Sequence, residues 1–364
     1  MTQNTFPPVR TAIIGCGVIS DIYLTNLTRS PSIALVAVAD LIQTRAEEKA
    51  ARFGIPRATT VDAVLSDPSI ELIVNLTVPA AHGTVALGAL RSGKSVYNEK
   101  PLAISREDAR LILNEAAARG LEAGAAPDTV LGAGYQTTRQ LLAEGVIGRP
   151  VAAAACMLSR GPDQWHPDPA FLFKQGAGPL FDMGPYYLTA LITLFGPIAR
   201  VSGATRITHP TRTVMKGPKA GERFTVDAPS HVAALVEFAS GPVATLVTSF
   251  DLWEPYRPSI EVFGTRGTLI APDPNTFGGP ITVRNADDAP AITPPLTHPH
   301  TENSRGLGVI EMAAAIRSGR PHRANAALAY HVLDAMHGII ESAQSGRHVA
   351  LEPVHGHTPT AAFA

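Results

Sequence analysis

Residues with the chemistry of proton transfer and sugar binding occupy a few short stretches of this chain. Asn98-Glu99-Lys100-Pro101 follows a β-rich run from Ser95 to Asn98. A lysine at a strand end can hold a hydroxyl or carbonyl oxygen by a charge-assisted hydrogen bond. With a tuned pKa it can also move that oxygen's proton, while Pro101 sets the backbone direction after it. A solvated surface lysine is the alternative reading. Farther on, Asp182 and Tyr186 lie four residues apart in the glycine-rich patch from Gly176 to Tyr187. On a helix they share a face. There Asp182 can bind a sugar-like hydroxyl or orient a donor, and Tyr186 can donate to a substrate oxygen. A helix cap beside a buried tyrosine fits the same spacing. Trp165 and His166 open a loop in which prolines flank Asp168. An aromatic face there can pack on the C–H face of a sugar, or the segment can be a rigid turn. Trp253 and Tyr256 are candidates of the same kind.

These groups could handle the proton of a hydride transfer if a cofactor supplied the redox chemistry, and the stretch from Thr11 to Asp40 offers a place for one. A β-rich run, TAII, meets Gly15-Cys16-Gly17, an amphipathic segment follows, and a second β-rich run, Ile33 to Ala39, ends at Asp40. This order predicts a strand, a glycine turn, a helix and a second strand that together bind a dinucleotide, the plainer alternative being an ordinary βαβ unit with a glycine turn. Gly15 supplies the turn and Gly17 a close approach to pyrophosphate. The amides of Cys16, Val18 and Ile19 at the helix start meet the phosphates. Asp40, 23 residues after Gly17, accepts from the ribose hydroxyls and favours NAD over NADP by repelling a 2'-phosphate. Ser20 replaces the third glycine, which predicts a slightly looser helix–strand contact. Cys16 reads as a turn residue whose thiol makes the site sensitive to oxidation. Asn75 and Thr77, after the run IELIVNL, with His82, Glu99 and Lys100, are the remaining candidates to line the cofactor. Asn75 capping a turn is the plainer reading.

The elements around these residues alternate. Helices are predicted from Thr44 to Phe53, Asp62 to Leu65, His82 to Ser92 and Ser105 to Arg119, with strands at Ile70 to Leu76 and Ser95 to Asn98. That spacing is the one parallel sheets use. Thr129 to Tyr135 can be a last strand. A helix is expected from Thr138 to Glu144. Strand candidates then run over Val151–Leu158, Ala199–Thr208, Ser230–Phe238, Val243–Phe250, Ser259–Gly264 and Gly267–Ala271, with a helix from Gly184 to Leu194 between them. Thr211 to Asp227 is expected as a mobile loop or hairpin. Gly306 to Ser345 returns to helix, broken around Gly319 to Pro321, and the chain after Gly346 is expected to be weakly ordered. The expected architecture is α/β: residues 1–128 a dinucleotide-binding Rossmann domain, and 129–364 an α+β domain with an open, largely antiparallel sheet.

Composition limits the partners. Lysine and arginine total 30 against 31 aspartates and glutamates, which points away from nucleic acid and from anionic membranes. No run of 18 apolar residues occurs and MTQNTFPPVR holds no long apolar stretch, so the expectation is a soluble cytoplasmic protein. The two cysteines form no disulfide framework and no zinc signature, and His298 and His300 lack further ligands, so no metal is expected.

Gly15-Cys16-Gly17 with Asp40, Asn98-Glu99-Lys100-Pro101, and the GxGxLxDxGxY patch at 176–186 together resemble the Gfo/Idh/MocA oxidoreductases, the glucose–fructose oxidoreductase and inositol dehydrogenase family. The motifs run through nearly the whole chain in order, and Glu-Lys-Pro is the most specific. The resemblance implies NAD or NADP, a sugar, polyol or related carbonyl substrate, and homodimers or homotetramers built on the open sheet. It makes Lys100 the lysine that meets substrate and assists proton transfer, and Asp182 the motif aspartate. The family commonly places a histidine where this chain has Tyr186. Tyr186 then donates or accepts the proton, only contacts substrate, or leaves the proton to Lys100 alone. A glycoside hydrolase using NAD transiently and a non-catalytic NAD-binding sensor are the alternative functions.

Overall fold

The computed structural model describes residues 6–253, 259–285 and 290–352; Tyr256 lies outside the described residues. Chain contacts separate two units. One takes the chain to Leu131 together with Asn303–Tyr330, and the other takes Gly132–Glu302 and the chain from His331. The expected division was a single cut at 128/129. The contacts instead return 303–330 to the first unit.

The first unit alternates strand and helix: β1 (Val9–Ile14), α1 (Ser20–Leu27), β2 (Ile33–Ala39), α2 (Gln43–Phe53), β3 (Ala58–Thr59), α3 (Val61–Ser66), β4 (Leu72–Asn75), α4 (Pro79–Arg91), β5 (Ser95–Asn98), α5 (Arg106–Arg119) and β6 (Ala123–Ala125). Its sheet is parallel in the order β3-β2-β1-β4-β5-β6. The order reverses direction between β1 and β4, and ligands of such sheets bind outside the strand ends at that point. β1, β4 and β5 are almost wholly buried, as strands covered on both faces must be. Local chemistry sets the helix ends. The Ser105 hydroxyl accepts from the Asp108 amide at 3.0 Å to cap α5. α4 starts at Pro79, three residues before the expected His82, because a proline in the first turn lacks only an amide that would go unbonded there.

The second unit opens with α6 (Ala133–Ala143) and continues through β7 (Pro150–Leu158), α7 (Gly178–Phe195), β8 (Ile198–Arg206), β9 (Thr211–Thr213), β10 (Arg223–Thr225), β11 (His231–Phe238), β12 (Val243–Ser249), β13 (Ile260–Gly264), β14 (Gly267–Ala271) and β15 (Thr282–Asn285). α8 (Leu307–Ser318) belongs to the first unit, α9 (Ala326–Ser345) follows the break at Pro321, and β16 (Val349–Ala350) ends the described chain. The sheet order is β15-β14-β13-β7-β12-β11-β8-β16. Its pairs are antiparallel apart from β7 with β12. α7 packs on β7, β11 and β12 with most of its side chains buried. On β7, Ala153 and Ala155 are buried, whereas Ala152 and Ala154, alternating with them, are only partly so. Ala152 pairs with exposed Val243 and Phe263. Ala154 pairs with Thr245, which in turn pairs with exposed Leu235. One sheet face is therefore left open.

Three expectations change. Thr129–Tyr135 is not a strand: Thr129–Leu131 is a 3-10 turn and α6 begins at Ala133, five residues before Thr138. The carbonyls of His300 and Phe277 take the Ala133 and Gly134 amides, satisfying a helix start that no local side chain caps. α7 begins at Gly178, not Gly184, with Pro179 in its first turn and Pro185 inside it. Val349–Ala350, expected to be weakly ordered, pairs with β8, while Thr211 to Asp227 holds the β9–β10 hairpin, one of its two expected forms.

Candidate active site

In the first unit the glycine turn sits at the sheet's reversal point. Gly15 has φ +100°, and a Cβ on it would lie 2.5 Å from the Leu76 carbonyl carbon and oxygen and 2.7 Å from the Thr77 nitrogen. Only glycine fits, because the turn leaving β1 rides directly on the chain leaving β4. Gly17 differs: a Cβ there would meet nothing within 4 Å. The protein itself does not require a glycine at 17, so the space is suited to a group that comes from outside. Apolar side chains surround that edge without cover. Val18 and Leu41 are 95% and 96% exposed, and Ile42 and Val78 are exposed as well. The amides of the turn, the open Gly17 and these apolar residues fit a dinucleotide with its pyrophosphate at the start of α1.

Asp40 reaches back to this turn. Its Oδ2 accepts from the Cys16 amide at 2.7 Å and its Oδ1 from the Ile42 amide at 2.8 Å. Each carboxylate oxygen keeps acceptor capacity for a ribose hydroxyl. Ser20 is fully buried and donates to the Gly17 carbonyl at 2.6 Å, which closes the turn at the start of α1. Cys16 is buried with its thiol 3.6 Å from the Ala39 carbonyl. Burial, and then the charge of Asp40, push that thiol up to about 11. The expected oxidation-sensitive thiol is corrected: reactivity needs a thiolate, and here it is suppressed.

The next strand ends hold a buried polar network. Asn75 donates to Asn98 Oδ1 at 3.0 Å and to the His82 carbonyl at 3.3 Å, and its Oδ1 accepts from the Thr77 hydroxyl at 2.7 Å. Asn98 donates to the Leu102 carbonyl at 2.8 Å. Glu99 accepts from the Tyr23 hydroxyl of α1 at 2.8 Å and from the Lys100 amide at 2.9 Å. His82 is buried between the Pro101 carbonyl, 2.6 Å from Nδ1, and the Thr77 carbonyl, 3.1 Å from Nε2. Burial lowers its pKa against the opposing pull of those two carbonyls. Asn75, His82 and Glu99 were expected to line the cofactor. Their side chains are turned inward instead, and they brace the ends of β4 and β5. Lys100 is half-buried and leads a cis peptide bond to Pro101. The structure thus brings Gly15, Cys16, Gly17, Asp40, Thr77 and Lys100 to one edge of one sheet.

In the second unit Asp182 and Tyr186 both lie on α7, one helical turn apart on a common face, with Tyr186 buried and Asp182 half-buried. Trp165 is exposed after a short 3-10 turn, edge-on to His166 at 5.5 Å. Trp253 is exposed with the Arg160 guanidinium 3.7 Å from its ring centre. The loops carrying these tryptophans are tied by a group that sequence reasoning missed. Arg212, from β9, donates to Asp163 at 2.7 Å, to the Arg160 carbonyl at 2.9 Å, and to Asp251. All three ionic side chains are buried. Nothing local marks Arg212, which lies in a stretch rich in Lys, Gly and Pro. Among the described residues no cluster of three or more His, Cys, Asp or Glu side chains could hold a metal ion.

A doubly wound parallel sheet with a glycine turn at its reversal point and an acid closing β2 defines a dinucleotide-binding domain. Residues 9–125 match the oxidoreductase family with an NAD-binding Rossmann fold, and residues 135–270 match the Gfo/Idh/MocA C-terminal domain. The chain belongs to the Gfo/Idh/MocA oxidoreductase family, and its cofactor is NAD. It is 27% identical over 267 residues to a scyllo-inositol 2-dehydrogenase (NAD(+)) of Bacillus subtilis, covering 72% of this chain and 73% of that one. It is also 27% identical over 284 residues to a 1,5-anhydro-D-fructose reductase of Ensifer adhaerens, covering 76% and 80%. The crystal structure of an NAD binding oxidoreductase from Klebsiella pneumoniae shares the fold, with a TM-score of 0.83 at 22% identity over 95% of this chain and 100% of that one.

Proposed function

We propose that this protein interconverts a secondary alcohol and a ketone on a sugar or polyol, with NAD as the redox partner. The observation that carries the reading is Lys100, held on a braced turn at the same sheet edge as the open Gly17. The amides of Gly17, Val18 and Ile19 hold the pyrophosphate, the Cys16 amide being taken by Asp40, and Asp40 takes the ribose hydroxyls. When bound, NAD supplies the hydride acceptor. Lys100 holds the reacting oxygen of the substrate and accepts its proton on oxidation, returning it on reduction. On α7 of the second unit, Asp182 and Tyr186 offer a carboxylate and a phenol to substrate hydroxyls. Trp165, His166 and Trp253 offer faces for the apolar side of the ring. Relatives named for an inositol and an anhydro sugar support the substrate class.

The reading includes a cytoplasmic location and a homodimer or homotetramer joined through the open sheet face of the second unit, with residues 132–302 binding substrate. Among the described residues no helix is long and apolar enough to cross a membrane. The test is NADH absorbance with the full chain across a panel of inositols, anhydro sugars and aldoses, in parallel with NADP. The expected result is NADH from at least one polyol or sugar and much slower turnover with NADP. Tight NAD binding with no NADH from any of them would favour a sensor, and sugar release without net NADH would favour a glycoside hydrolase.

A further inference from the structure

We infer that His82 is a positioning residue for Lys100, whose Nδ1–H holds the Pro101 carbonyl and so sets the turn that presents the lysine. The inference rests on the reading of Lys100 as catalytic. Three polar groups of this turn are taken by buried side chains. Glu99, anchored by Tyr23 of α1, takes the Lys100 amide. Asn98 gives its amide to the Leu102 carbonyl. His82, from the first turn of α4, faces the Pro101 carbonyl between them at 2.6 Å. The backbone of His82 is fixed in turn, since its carbonyl accepts from Asn75 at 3.3 Å and Asn98 at 3.4 Å. The ring therefore stands on the two strand ends and reaches the lysine turn from the helix side.

The ring nitrogens decide the direction of that contact. A neutral imidazole has one N–H, and here each nitrogen faces a carbonyl oxygen. Were the proton on Nε2 alone, the Nδ1 lone pair would oppose the Pro101 oxygen at 2.6 Å, acceptor against acceptor. With the proton on Nδ1 the shorter contact becomes a hydrogen bond, and the less favourable pairing falls at the longer 3.1 Å contact with Thr77. The charged groups facing the ring are Glu99 and Lys100. A reactive group on a turn is only as well placed as the turn, and a misplacement near 1 Å costs about 10²-fold in rate.

Two measurements test this. Long-range proton–nitrogen NMR of the cofactor-free protein, with the His82 signal assigned by its loss in His82→Asn, reads which nitrogen carries the proton. Nδ1–H, alone or in an imidazolium, is expected. A neutral Nε2–H tautomer overturns the inference. The second measurement uses the substrate selected by the NADH panel. An asparagine amide nitrogen replaces Nδ1, a glutamine amide nitrogen replaces Nε2, and leucine replaces neither. His82→Gln and His82→Leu should lose about 10²-fold in kcat, with KM for NAD within about threefold of wild type, while His82→Asn recovers most of the turnover. If Lys100→Ala is inactive and the glutamine and leucine variants turn over as wild type does, this inference alone fails. If Lys100→Ala itself turns over normally, the lysine reading fails and takes the inference with it. Should the glutamine or leucine variant not fold, the tautomer decides.

Discussion

Two glycines of one turn do different work, and substitution should separate them. Gly15 is fixed by the fold, since its positive φ and its contact with Leu76 and Thr77 leave no room for a side chain. Gly15→Val should cost about 3 kcal/mol or more in urea denaturation, from backbone strain and overlap together. Gly17 is open on the protein side, so Gly17→Val should keep the wild-type melting temperature while raising the Kd for NAD at least about tenfold, or 1.4 kcal/mol. Calorimetric titration showing unchanged NAD affinity in Gly17→Val would remove the phosphate from this turn. Cys16, between them, is the inert member. With its thiol buried and pushed up to about 11, little thiolate forms near neutrality, so iodoacetamide should spare it in the native protein and label it in urea. Peptide mass spectrometry showing rapid native labelling would contradict the burial described.

Among the elements, α8 is met at its start by a buried acid from the chain after β6. Asp128 Oδ2 accepts from the Gly306 and Gly308 amides at 2.9 and 3.0 Å, a carboxylate placed at the positive end of a helix. Desolvation outweighs those bonds and raises its pKa from 3.8 to about 6. An acid with a raised folded pKa binds its proton more tightly folded than unfolded. Stability therefore falls as pH rises through that window, by up to about 3 kcal/mol, and changes no further on this account above it. Asp128→Asn keeps an acceptor for the amides and removes the titration, so its melting temperature should lose this descending component between pH 4 and 6. Parallel profiles for the two proteins would show that Asp128 does not titrate there. The β9–β10 hairpin is a second case of an element held by a buried charge. Removing Arg212 would strand Asp163 and Asp251 without their counter-ion, a far larger cost than losing an exposed ion pair.

At the scale of the whole molecule, the described residues leave one face of the second unit's sheet open. Phe263, Val243 and Leu235 stand exposed on it across adjoining strands. An apolar sheet face of this kind is normally covered by a partner. On the proposal that the partner is another copy of this chain, wild-type protein should sediment as a dimer or tetramer. Leu235→Lys, which puts a charge on that face, should shift it toward monomer with little change in far-ultraviolet circular dichroism. A wild-type monomer at micromolar concentration would refute the proposed assembly.

The sequence by itself determined the alternating first unit, the glycine turn with Asp40, the Glu-Lys-Pro strand end, most strands of the second unit and the one-face pairing of Asp182 with Tyr186. Each of these is written in neighbouring residues: strand and helix periods, glycine and proline at turns, a serine cap at 105. What only the tertiary structure decided depends on groups far apart in the chain. Asn75, His82 and Glu99 sit at strand ends where ligand contacts are expected, yet they turn inward because the buried carbonyls and amides of neighbouring turns must be satisfied. Arg212 finds Asp163 and Asp251 across 49 and 39 residues of chain. Residues 303–330 return to the first unit, where Asp128 receives the start of α8. Local periodicity carries no record of such pairings, because the burial that makes them necessary exists only once the chain has folded.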